Sequence, residues 1–82
     1  MDKYINQFVC YDPNYPSTPC RKQEYLNLLG VVLSTRYYCN NRIGANEMVI
    51  ANVLWLGNIP KEMNNKNQWE VSTKELKIVE PL

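Results

Sequence analysis

The chain has 82 residues and a formal net charge of +1, which leaves room for one domain and no second core. An apolar fraction of 45% excludes a disordered chain, and near-neutrality excludes a global field that would draw it to nucleic acid or an anionic membrane. Five positive and three negative residues lie up to Gly44, four and five after it, an asymmetry too slight to name a partner.

In chain order, residues 5–12 carry Ile5, Phe8, Val9, Cys10 and Tyr11, enough for a short first strand. Pro13, Pro16 and Pro19 follow at a spacing of three. Proline fixes φ and lacks an N–H, so this segment reads as an extended, polyproline-like surface loop. A helical turn over 21–26 has no strong cap to support it. Residues 26–38 are β-branched and aromatic and read as a second strand, with Gly30 at a bulge or bend.

Residues 39–46 read as a turn, since Asn and Gly adopt positive φ cheaply. Strand three, residues 47–56, places Met48, Ile50, Leu54 and Leu56 on one face. Val49, Ala51, Val53 and Trp55 fall on the other. A strand apolar on both faces is either central in a barrel or covered on its second side by another chain. An Asn-rich polar loop through Pro60 leads to a short strand at 69–71. Ser72 or Thr73 caps a single turn, with Glu75 at capping-box spacing from Ser72, and residues 77–80 close the sheet. A helix over 48–56 fails on length and on its content of valine, isoleucine and tryptophan. The class expected is all-β.

Gly30-Val-Val-Leu33, then Val53-Leu-Trp-Leu-Gly57, then Glu75-Leu-Lys-Ile-Val-Glu80 resemble the small SH3-like barrel proteins of tailed bacteriophages. In those, a glycine–valine strand leads to a valine–tryptophan–glycine strand, a short turn and a Glu-Leu closing strand. The resemblance spans about residues 26–82, with 5–12 as the first strand. It implies one SH3-like barrel of about five strands over 1–82, with a long proline-bearing loop after strand 1 and a helical turn before the last. That loop and the Asn-rich one depart from the tightest versions. The resemblance also implies a binding protein that occupies a host enzyme or defence factor. Abundant Asn and Lys in so short a chain agree with an AT-rich viral genome.

The inventory for chemistry is thin. The chain has no His, no phosphate-cradling glycine loop, no Gly-x-Ser-x-Gly and no close acidic pair, so no enzyme is expected. Cys10, Cys20 and Cys39 lack CxxC spacing, which excludes Cys₂His₂ zinc and favours reduced thiols over one disulfide with a leftover cysteine. No cofactor or metal is expected. No apolar signal core opens the chain and no apolar run reaches membrane-spanning length, so the expected location is the cytoplasm.

Arg36, Tyr37, Tyr38 and Arg42 set two aromatics and two guanidiniums at one strand end and its turn, a composition typical of interface hot spots. Trp69, after the Asn-rich loop, joins them as a candidate binding residue, whereas Trp55 reads as core. The bland alternative puts one Tyr in the core and solvates both arginines. Asn52, inside the most apolar strand, needs a hydrogen-bond partner if buried, and a backbone group is favoured. Pro16-Ser-Thr-Pro19-Cys-Arg21 fits a PxxPx(+) ligand weakly, and a stiff connecting loop is preferred. The leading expectation is a non-enzymatic protein that occludes a host protein. Nucleic-acid binding and an oligomeric sponge for a nucleotide signal stand as alternatives, and a homo-oligomer is a second expectation about partners.

Overall fold

The computed structural model describes residues 3–39 and 47–80, without the side chains of Cys39 and Glu47. The expected turn after Cys39, and Arg42 with it, lies outside the described residues. The strands are β1 (Phe8–Tyr11), β2 (Leu29–Cys39), β3 (Glu47–Leu56), β4 (Gln68–Ser72) and β5 (Leu76–Ile78). They form one antiparallel sheet in the order β4-β3-β2-β1-β5. The protein is mainly β, as the alternating pattern predicts. Among the described residues only the four-residue helix α1 (Gln23–Leu26) and short 3-10 turns interrupt it.

β4 and β5 form the two edges and share no ladder, so the sheet is unclosed. It nevertheless curls hard. Trp69 on β4 and Tyr11 on β1 are three strands apart, which a flat sheet would hold about 14 Å apart. Trp69 Nε1 instead donates to Tyr11 Oη at 3.0 Å. Inside the curl lie Val9, Tyr11, Val32, Val53, Trp55 and Val71, all buried. Trp55 is sandwiched in this core, stacked on Tyr11 at 4.9 Å and on Trp69 at 5.4 Å between ring centres.

Two features of β2 make this packing work. Gly30 lies opposite both Val9 and Trp55, and a Cβ there would collide with Val53 Cγ1 and come within 3.0 Å of the Trp55 ring. The glycine is therefore a flat bed for an indole, not the bulge expected there. The bulge comes three residues later, at Leu33, where the register steps from Val32 opposite Val53 to Ser34 opposite Asn52. An extra residue resets the alternation, so Val32 faces inward before it and Thr35 and Tyr37 share the inward side after it.

The connections correct several readings. β1 is shorter than residues 5–12 because Asn6 sits at φ +65° and Asp12 already begins a turn, its Oδ1 accepting from the Asn14 N–H at 2.9 Å. The proline segment is a chain of tight turns rather than an extended helix, ending in a 3-10 turn at Pro19–Arg21. Cys20 is buried there, its Sγ 3.5 Å from the Glu75 carbonyl, so this segment cannot present an extended proline ligand. Proline sets φ, but the buried Cys20 decides the path. α1 forms where only an unsupported turn was read. Tyr25 anchors it, donating from its hydroxyl to the Glu62 carboxylate across the β3–β4 loop. That loop opens at Gly57, φ +113°, and carries a 3-10 turn at Lys61–Met63 that ends on Asn64 in the left-handed region. Ser72 caps the last 3-10 turn, Thr73–Glu75, but accepts from the Lys74 N–H rather than completing a capping box with Glu75.

Candidate functional site

β2 and β3 pair over nearly their whole length, from Leu29 opposite Leu56 to Cys39 opposite Glu47. Their neighbours stop sooner. β1 covers β2 only as far as Val32, and β4 covers β3 only from Leu54 back to Ile50. Beyond Arg36 and Ile50 the two strands continue as a ribbon with no third strand on either side among the described residues. Tyr37 and Val49 take one face of this arm, Tyr38 and Met48 the other. Tyr37 is 58% exposed and Tyr38 46%. Two-stranded ribbons have no core of their own. Large aromatics on both sides therefore meet solvent or a partner.

The predicted site residues separate accordingly. Arg36 and Tyr38 share the outer face, and Tyr37 points to the opposite side. Trp69 belongs to the aromatic core: half-buried, stacked on Trp55, and meeting Tyr25 edge-on at 6.3 Å. It is not on the arm. Arg42 lies outside the described residues.

Arg36 is engaged. Its Nε and Nη2 donate to the two oxygens of Glu70 on β4, at 2.7 and 3.0 Å, a bidentate pair on the outer face. The hydrogen bonds raise the guanidinium's pKa and hold the Glu70 carboxyl below its ordinary range. Beside the pair Gln68 Nε2 donates to Asn52 Oδ1 at 3.2 Å. The half-buried Asn52 thus finds a cross-strand side chain, not the expected backbone group. Ser34, Arg36, Ile50, Asn52, Gln68 and Glu70 frame a groove of about 300 Å³ here.

The core tyrosines behave as structural groups. Burial pushes the Tyr11 phenol up to about 12, against the hydrogen bond from Trp69 that favours its ionised form. Burial also raises Tyr25, with the Glu62 contact adding to it. Glu62 in turn is held below its ordinary range, first by the Tyr25 hydroxyl and then by Lys22, whose Nζ is 3.5 Å away. Next to Glu62, residues 58–62 and Glu24 frame a second open groove of about 440 Å³.

Sequence reasoning missed a further surface. On the outer face of the body, Phe8, Val31 and Leu54 stand in one row across β1–β3, with Leu29 and Leu56 paired beside them. Leu33 projects from the bulge. Phe8, Leu29, Leu33 and Leu56 are each 37–45% exposed. The signal was present in strand three, apolar on both sides, but assigning it to a surface requires knowing that no other described element covers the outer side.

For bond-making chemistry the described residues offer little. They contain no group of three or more Cys, Asp or Glu placed to hold a metal ion. Cys10 and Cys20 are free thiols, and burial raises the Cys10 pKa despite Lys77 nearby, which makes it a poorer nucleophile. No described helix is long and apolar enough to cross a membrane. No protein-family model, curated protein or solved structure matches the chain.

Proposed function

We propose that this chain is a non-enzymatic protein-binding module, an SH3-like barrel of the kind tailed phages encode, whose β2–β3 arm occludes a functional surface of a host protein. The strand order β4-β3-β2-β1-β5, the long loop after β1 and the 3-10 turn before the closing strand support the barrel reading. One observation carries the function: the arm extends beyond its neighbouring strands with Tyr37 and Tyr38 exposed on opposite faces. Tyrosine supplies large contact area at low entropy cost, so such an arm inserts well into a cleft or pairs along a groove. Nucleic acid is the weaker ligand. Phosphate contacts need free cations, and Arg36 is neutralised by Glu70 in a chain of net charge +1.

The test is an affinity pulldown of the tagged chain from bacterial lysate, with and without nuclease, beside the folded double variant Tyr37→Ala, Tyr38→Ala. One stoichiometric host protein retained after nuclease and lost with the variant is the expected result. An empty eluate, or retention that nuclease abolishes, overturns the reading.

A further inference from the structure

The arm has an open edge. β2 is 11 residues long, and β1 accompanies it no further than Val32. Before β1 the chain turns at Tyr4–Gln7, with Asn6 in the left-handed region, and Tyr4 packs against the core. Ser34–Cys39 therefore has β3 on one side and, among the described residues, no strand on the other. The ladder shows which backbone groups are left over. Trp55 N–H donates to Asn67 O, so Trp55 and every second residue before it on β3, down to Val49, turn their backbone groups toward the β4 side. Asn52, Ile50 and Met48 turn theirs toward β2, where they meet Ser34, Arg36 and Tyr38. Thr35 and Tyr37, opposite Ala51 and Val49, are left with N–H and C=O groups that point off the open edge. Resting on the function proposed above and naming how the arm holds its partner, we propose that an extended segment of the partner protein pairs along β2, its backbone bonded to Thr35 and Tyr37.

The backbone groups choose the occupant. Donor and acceptor pairs repeating every second residue match another extended backbone. A helix has spent its own groups internally, and phosphates accept without donating. Ser34–Cys39 spans roughly 17 Å at about 3.3 Å per residue, the length of an ordinary strand. Natural sheets guard their edges with lysine or proline, and Ser34–Tyr38 contains neither. Its one charge, Arg36, is tied to Glu70. The two outer edges of the sheet are harder to reach. β5 has 3 residues, and β4 runs between the loop that holds Asn64 and Asn65 in the left-handed region and the turn Thr73–Glu75. β2 projects past the body, where a segment meets the arm before anything else.

Charge selects a foreign segment over a second copy. A two-fold axis that matches Thr35 of each copy with Tyr37 of the other sets Arg36 directly opposite its own image, and like charges so placed repel. A foreign segment carries an uncharged or acidic residue at that position. On the inner side it meets Thr35 and the exposed Tyr37, which pair best with β-branched or aromatic residues.

Proline separates backbone from side chain. Thr35→Pro deletes an N–H that points off the edge and no ladder bond to β3, so the far-ultraviolet dichroism and the emission of Trp55 and Trp69 should stay native. Thr35→Ala keeps that N–H. In the nuclease-treated pulldown Thr35→Ala should retain the host protein that the parent retains. Thr35→Pro should retain it about tenfold less or weaker still, the effect of a lost hydrogen bond and a ring in the way of the segment. Amide hydrogen exchange of the parent gives a reading that needs no variant. In the free chain the Thr35 and Tyr37 amides should exchange faster than those of Ser34, Arg36 and Tyr38, and both should slow about tenfold or more in the complex with the retained protein. A folded Thr35→Pro that captures as well as the parent, with both amides still fast in the complex, overturns edge pairing and leaves the function of the arm standing. An empty eluate from the parent overturns both. Slowing of the two amides as the free chain alone is concentrated marks pairing with a second copy and overturns the foreign segment.

Discussion

The same two strands run through two different environments. At the body end of β2 and β3, Val32, Val53 and Trp55 are enclosed. At the arm end Tyr37 and Tyr38 stand in solvent. Both ends are rich in β-branched and aromatic residues, and local preference does not distinguish them. What differs is the neighbours. β1, β4 and the turns after them wrap the body end, and among the described residues no third strand reaches the arm. Burial follows from the company a strand keeps. Stability should therefore concentrate at the body end and binding at the arm.

The sharpest way to break this contrast is to remove the centre of the body. Trp55→Ala deletes the ring between Tyr11 and Trp69 and should cost about 3–5 kcal/mol, comparable with the whole stability of a small domain. Urea denaturation should find most molecules unfolded before denaturant is added; a cooperative transition at the parent midpoint would show that the aromatic stack is not the core. Gly30→Ala comes next. Its methyl must displace Val53 and press on the Trp55 ring, a strain of about 1–3 kcal/mol seen as a lower midpoint in the same titration.

Tyr25→Phe probes the tie between α1 and the β3–β4 loop. Losing the phenol's hydrogen bond should cost about 1 kcal/mol. It should also change the pH profile, with a sign that follows from Glu62. The folded carboxyl titrates below its unfolded value of 4.5, so its stabilisation is complete above that pH and is lost as pH falls through the lower folded value. In the parent, stability should therefore decline on acidification below about pH 4.5, and the slope should be shallower in Tyr25→Phe. Equal slopes would mean that the contact does not hold the carboxylate. The smallest stability effect belongs to the arm: Tyr37→Ala and Tyr38→Ala should each move the midpoint by under about 0.5 kcal/mol. A large loss there would make the arm part of the core and dissolve the contrast.

Much of the architecture was legible in the residues. β3 runs over Glu47–Leu56 as the unbroken apolar alternation predicts, because hydrophobic periodicity and β-branching agree along it. The turn after Ser72 was legible from its capping residue, although the hydrogen bond goes to Lys74. Trp69 was ambiguous for a physical reason. Its sequence neighbours are polar, and what encloses it, Tyr11, Tyr25 and Trp55, comes from three other segments. Arg36 read as a free guanidinium because Glu70 is 34 residues away.

Alone, the sequence determined that the chain is mainly β, where its longest apolar strand lies, and that its inventory for catalysis is thin. These depend on composition and short-range period, which are local. The tertiary structure decided that Gly30 is a bed for Trp55 and that the bulge falls at Leu33. It also decided which aromatics are core and which are exposed. Those outcomes depend on which strands lie side by side and how far each ladder runs, and a curled sheet sets both through contacts between residues distant in the chain.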